Sequence, residues 1–147
     1  MKKVLFLCTG NSCRSQMAEG FARALAPPGI EIYSAGVEAH GLHPRAVAVM
    51  AEAGVDIGQQ TSKTVAEIPT GQIDTVITLC GDAAERCPAF PGAVFREHWA
   101  ISDPAGVEGS EEAILEAFRS VRDELEKRVR ALWPLGDPTH PVVLIDS

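Results

Sequence analysis

An α/β fold with a parallel sheet covered by helices is what this sequence predicts, and three observations carry the prediction. Short apolar runs alternate with segments of helical periodicity. Those helical segments close on proline or glycine. Two cysteines, Cys8 and Cys80, each follow directly after a strand-like run, although they lie far apart in sequence. Parallel strands joined through helices need right-handed crossovers, and ligands of such sheets bind beyond the carboxyl ends of the strands. The expected architecture is a three-layer sandwich around a central four-stranded parallel sheet.

Each element has its own justification. Lys3 to Leu7 is a continuous hydrophobic run that reads as a buried first strand. Arg14 to Leu25 then places Met17, Ala18, Phe21, Ala22 and Leu25 at helical spacing until Pro27 and Pro28 end it. Ile30 to Ser34 alternates as a second strand. Pro44 to Ala53 is a second helix, with Val47, Met50 and Ala51 expected inward and Gly54 as its stop. Ile73 to Leu79, rich in β-branched residues, is the third strand, and Ala93 to Arg96 a short fourth. From Ser110 a long amphipathic helix carries Ile114, Leu115, Phe118, Val121, Leu125, Val129 and Leu132 on one stripe, and Trp133-Pro134 closes it.

The 147 residues suit one domain, 1–147, with 134–147 as a C-terminal extension in which Val142 to Ile145 could add an edge strand or cover an apolar face. With 13 basic and 20 acidic residues the net charge is -7, which argues against general binding to nucleic acid or anionic membranes. The apolar run after Lys2 and Lys3 is too short for a secretory signal, and nothing reaches the length of about 20 apolar residues that a spanning helix needs. A soluble, cytoplasmic monomer is expected. Cysteines 8, 13, 80 and 87 are too few and too unevenly spaced for a disulfide scaffold. Their separations and the absence of a supporting histidine also argue against zinc, so no metal and no cofactor is expected.

The stretch CTGNSCRS, Cys8 to Ser15, occupies a strand-to-helix turn. A thiol becomes a nucleophile on ionisation, which a helix N-terminus, a nearby cation and hydrogen-bond donors all favour. The helix starting near Arg14 supplies the first, the Arg14 guanidinium the second, and Ser12 or Ser15 the third. Gly10 and Asn11 tolerate the positive φ that lets successive N–H groups converge on one anion. Thr9, Gly10, Asn11, Ser12, Cys13 and Arg14 are therefore the candidate binding residues, and a tetrahedral oxyanion is the ligand they describe. Arg14 can grip two of its oxygens. The competing reading is a glycine turn with two buried thiols. Attack by Cys8 expels oxygen and needs a proton donor, for which Asp103, held extended by Pro104, is the candidate.

Taken together, CTGNSCRSQMAEG, YSAG from Tyr33, TLC ending at Cys80, Cys87-Pro88, EHW from Glu97 and DPAG from Asp103 resemble the thioredoxin-coupled arsenate reductases. These belong to the low-molecular-weight tyrosine phosphatase superfamily, and the resemblance runs over about residues 2 to 132. It implies a fold of that type and a relay. Cys8 attacks arsenate, Cys80 attacks Cys8 to release arsenite, and Cys87 takes over Cys80, leaving a Cys80–Cys87 disulfide for thioredoxin to reduce. Cys13 has no step in it. If Cys80 to Cys87 is helical, about 1.5 Å per residue puts their Cα atoms roughly 10 Å apart, beyond the roughly 7 Å limit for a disulfide. That segment must then unwind on oxidation.

Some members of the family bind potassium near the loop, and the matching positions here are Asn11, Glu19, Ser34 and Thr61. Lys63 stands where a further carboxylate would be, so an ammonium can replace the cation and no potassium requirement is expected. His40, His43 and His98 are expected in surface or packing roles. Two other functions compete. A tyrosine phosphatase usually carries tyrosines after its Asp-Pro, whereas Ala105 and Gly106 follow here and Tyr33 is the chain's one tyrosine. The other is a non-catalytic oxyanion or redox sensor.

Overall fold

A computed structural model describes residues 1–81 and 95–133, together with the backbone of 136–137 and 140–141. Strand β1 (Lys3–Cys8) lies at the centre, paired with β2 (Glu31–Gly36) on one side and β3 (Thr75–Thr78) on the other. Strand β4 (Phe95–His98) completes the order β2-β1-β3-β4, with every pair parallel. Chain connections leave β1 and β3 in opposite directions, so their carboxyl ends flank the crevice where such sheets take ligands. The first loop begins there, with Cys8 in register with Gly36 and Leu7 with Thr78.

Successive residues of β1 serve opposite faces. Val4 and Phe6 join Ile32 and Ile77 beneath helices α1 (Arg14–Leu25), α2 (Pro44–Glu52) and α3 (Glu111–Leu132), through Met17, Phe21, Met50, Phe118 and Leu125. Leu5 and Leu7 join Ala35 and Val76 on the opposite face, covered by Ile68 and Ile73 around two 3-10 turns, Val65–Glu67 and Thr70–Gln72. Each fully buried Leu or Phe of this kind contributes about 1.5–3 kcal/mol.

Helix α1 has the predicted bounds, and α3 starts on the Ser110 hydroxyl, which accepts from the Ala113 N–H at 3.1 Å. Helix α2 differs in its facing. Ala46, Val49 and Met50 are buried and Val47 is half-buried, while Ala51 is exposed. The i, i+3, i+4 seam thus begins one residue earlier than predicted and turns Ala51 to solvent. Strand β2 extends to Gly36, and β4 starts at Phe95 because its ladder pairs Thr75 with Phe95. Residues 136–137 and 140–141 form a small antiparallel ladder, β5 and β6. The strand expected over 142–145 lies outside the described residues.

Candidate active site

The loop between β1 and α1 is held from outside by its carbonyls. Those of Cys8, Thr9 and Gly10 accept from the main-chain N–H groups of Val37, Glu38 and His40 at 3.2, 2.9 and 2.9 Å, and Ser12 O accepts from His43 at 3.0 Å. The remaining two, Asn11 O and Cys13 O, accept from the Gln16 side chain and the Met17 N–H. The β2–α2 connection therefore runs beside the loop as a brace. Among the described residues, the N–H groups of Gly10, Asn11, Ser12 and Cys13 meet no acceptor. A loop whose carbonyls are all satisfied outward and whose N–H groups are unspent is built to bind an anion.

Asn11 adopts φ 49°, the left-handed geometry expected of it, but its side chain turns away from the cavity. Its Nδ2 donates to Ser15 Oγ at 2.7 Å and Ser34 Oγ at 3.0 Å, and its Oδ1 accepts from the Lys63 N–H at 2.9 Å. It fixes the loop from behind. Gly10 lies outside the positive-φ glycines; a Cβ there would run into the His40 ring. Close approach, rather than φ, explains this glycine. Gly36 is needed for the same reason, since a Cβ would lie 2.7 Å from Thr9 O and 2.8 Å from Asn11 N.

Cys8 is 3% exposed, and its sulfur lies 2.9 Å from Ser15 Oγ. Of the two hydroxyls proposed as its partner, Ser15 is the one in contact. A cavity of about 250 Å³ opens above it, lined by the loop together with His40, Asp103 and Ala105. Arg14 is buried at the base. Its Nη1 donates to Ile101 O at 3.0 Å, its Nη2 lies 3.7 Å from Asp103 Oδ2, and its Nε is buried without a partner among the described residues. An oxyanion supplies the acceptor that a buried guanidinium N–H requires. Asp103 caps the 3-10 turn Pro104–Gly106 by accepting from the Ala105 N–H at 3.0 Å, which aims its half-exposed carboxylate at the cavity.

Cys13 is buried, with its sulfur 4.0 Å from Asp103 Oδ1. Burial first, then the negative potential of Asp103, pushes its pKa up to about 12, so it stays a thiol at neutral pH. Cys80 emerges after β3, half-buried, with its sulfur 3.1 Å from Thr9 Oγ1. The second strand-end thiol is thus tied to the residue next to Cys8, as the sheet-edge argument predicts. Cys87, and with it residues 82–87 of the segment expected to unwind on oxidation if helical, lie outside the described residues.

Glu19, Ser34, Asn11 and Thr61 converge behind the loop, where Ser34 Oγ donates to Glu19 Oε1 at 2.6 Å. The Lys63 ammonium donates to Thr61 O at 2.6 Å and lies 3.4 Å from Ser34 O. It thus places an ammonium among the oxygens of these positions. Among the described residues no cluster of three metal-ligating side chains occurs. No described helix is long and apolar enough to cross a membrane.

His43 takes the packing role expected, accepting from the Arg45 N–H at 3.1 Å and stacking on Phe118 at 4.8 Å. Burial and the neighbouring Arg45 hold its imidazole below the usual histidine range. His98 bonds Thr78 Oγ1 at 2.7 Å. His40 is exposed, as expected, with its ring against Gly10, and it also lines the cavity. The glycine opposite it in the loop was the available sequence signal, and nothing in local spacing links the two.

A buried cysteine at the floor of an amide-lined loop, with an arginine at its base and a carboxylate lining the cavity above, defines a class of α/β proteins that attack tetrahedral oxyanions through sulfur. The chain belongs within that class to the low-molecular-weight phosphotyrosine protein phosphatase family, whose description matches residues 3–137. It is 52% identical over 136 residues to an arsenate reductase of Bacillus licheniformis, covering 92% of this chain and 98% of that one. A solved arsenate reductase in its phosphate-binding state superposes with a TM-score of 0.74 at 41% identity, over 90% of this chain and 96% of that one. An arginine phosphatase mutant with a phosphorylated active-site serine is similar at 27% identity and a TM-score of 0.71, over 88% and 92%.

Proposed function

We propose that this protein is an arsenate reductase that works by a thiol–disulfide relay with thioredoxin as external reductant. The observation that carries this reading is Cys80, whose sulfur is bonded to Thr9 on the rim of the Cys8 pocket. A phosphatase has no use for a second thiol there, whereas a reductase needs two electrons from sulfur.

In the relay, the loop N–H groups and Arg14 hold arsenate while the Cys8 thiolate, favoured by the Ser15 hydroxyl, forms an S–As bond. Asp103 protonates the departing oxygen. Cys80 then attacks Cys8 sulfur, an S–S bond forms, and the electron pair of the S–As bond stays on arsenic, which leaves as arsenite. Thr9 positions the Cys80 sulfur for that step. Cys87 attacks Cys80 next, freeing Cys8 and leaving the Cys80–Cys87 disulfide for thioredoxin. No metal or cofactor takes part, Cys13 is a bystander, and the protein acts as a cytoplasmic monomer in arsenic detoxification.

Family membership supports a second reading, phosphate-ester hydrolysis through a Cys8 phosphocysteine. The test is a free-thiol count with peptide mapping on reduced protein after anaerobic incubation with arsenate alone. Loss of two thiols, a Cys80–Cys87 bridge and one equivalent of arsenite support the relay. Four surviving thiols and no arsenite overturn it in favour of phosphatase or sensor.

A further inference from the structure

The histidine wall of the cavity has no step in the relay, yet it is built with care. The His40 main-chain N–H is committed to Gly10 O at 2.9 Å, and the edge of its ring that carries Nδ1 faces Gly10 so closely that a methyl group there would collide with it. On the far side, Nε2 lies 2.7 Å from Glu38 Oε1. A carboxylate can only accept, so Nε2 carries the hydrogen and the ring is oriented with Nδ1 toward the loop. The ring thus stands at the mouth of the oxyanion pocket, anchored at its backbone and at its outer nitrogen, while its side chain is 54% exposed. A surface histidine in a purely packing role has no reason to be held in this way.

The rest of the lining beyond the loop is small and polar. Ala105 and the Asp103 carboxylate line the cavity together with the ring, and among the described residues no phenylalanine, tyrosine or tryptophan does. Such a mouth suits a hydrated, compact anion better than the apolar substituent of an aryl ester, which needs aromatic or aliphatic walls to replace its hydration. Nδ1 also offers a hydrogen bond to a hydroxyl of an inorganic oxyanion, at a place where an ester carries carbon and leaves that nitrogen unpaired.

We infer that His40, oriented by Glu38 against Gly10, is a specificity-determining residue that selects inorganic tetrahedral oxyanions over their organic esters. The inference deepens the arsenate reading of the same site and rests on it for the identity of the substrate. Its own test uses inorganic phosphate and phenyl phosphate as probes, the same tetrahedral group with and without an organic substituent. The readout is the concentration of each that half-protects Cys8 from iodoacetamide, by mapping the Cys8 peptide of reduced protein. In H40A the preference for inorganic phosphate over phenyl phosphate falls about tenfold, the scale that the net contribution of one neutral hydrogen bond sets. E38Q keeps the ring and weakens its anchor, and shifts the ratio less in the same direction. A loop that merely loosens loses both probes alike, so the ratio isolates the wall. With arsenate as substrate, KM rises in H40A by more than kcat falls. A ratio within twofold of wild type in H40A overturns the inference. Arsenite formation by wild type is scored separately, so the activity reading can fail while the two probes still decide the role of His40.

Discussion

Ser15 and Cys13 show how neighbouring residues of one loop receive opposite assignments. The Ser15 hydroxyl lies against Cys8 sulfur and also accepts from Asn11, so its orientation is fixed with its hydrogen available to sulfur. Ser15→Ala removes that donor. It is expected to slow alkylation of Cys8 by iodoacetamide at fixed pH and to lower turnover about ten- to hundredfold, since one hydrogen bond to a charged group contributes about 1.5–3 kcal/mol. Cys13 works through burial. Its folded pKa of about 12 exceeds the ordinary 9.0, so above pH 9 the unfolded chain releases a proton that the folded chain retains. The stabilisation is therefore full below pH 9 and is lost as pH rises toward 12. In urea titrations with reductant present, wild type is expected to lose up to about 1.4 kcal/mol per pH unit in that window relative to Cys13→Ala. Equal slopes for the two proteins would contradict the assignment. Lys63 makes a third case, because its ammonium already holds Thr61 O and Ser34 O. Turnover is expected to be the same in sodium and potassium buffers; loss in sodium with recovery on adding potassium would overturn that role.

At the level of elements, glycine and caps decide whether the loop can be braced at all. Gly36 ends β2 where the strand turns to run beside the loop, and any Cβ there meets backbone, which has no rotamer to change. Gly36→Ala is expected to cost about 1–3 kcal/mol in urea unfolding and to weaken anion protection of Cys8 with it. Ser110→Ala, which removes the α3 cap far from the loop, costs about 1 kcal/mol and leaves that protection unchanged. The elements themselves were legible from pattern. Helix α1 was bounded by a proline pair and the strands by β-branched runs, so only their ends moved. The facing of α2 was not legible, because in an alanine-rich helix several stripes look alike until the partners on α1 and α3 are known. The cysteine, arginine and aspartate of the site could be read because loop chemistry and sheet topology constrain them. His40 could not, since its place in the wall depends on the brace that binds the loop carbonyls one after another.

Across the whole molecule, the proposed relay turns on where Cys8 and Cys80 lie relative to solvent. Cys8 is 3% exposed at the floor of its pocket, which disfavours direct attack by a protein reductant on a disulfide that includes it. Cys80 is half-buried at the rim, and exchange needs a thiolate to approach a disulfide sulfur directly. In the proposed relay, oxidation formed at the floor is carried outward, and Cys87 is the thiol assigned to carry it. Cys87→Ser is accordingly expected to release about one equivalent of arsenite per protein and then stall, even with excess thioredoxin and its reductase. Any hydrolysis of an aryl phosphate, which needs Cys8 but no relay, continues in that variant, whereas Cys8→Ser abolishes both activities. Sustained arsenite production by Cys87→Ser at the wild-type rate would mean that thioredoxin reaches the Cys8–Cys80 bridge itself. The burial of Cys8 would then have to be relieved during turnover, and the outward relay would have no purpose in this fold.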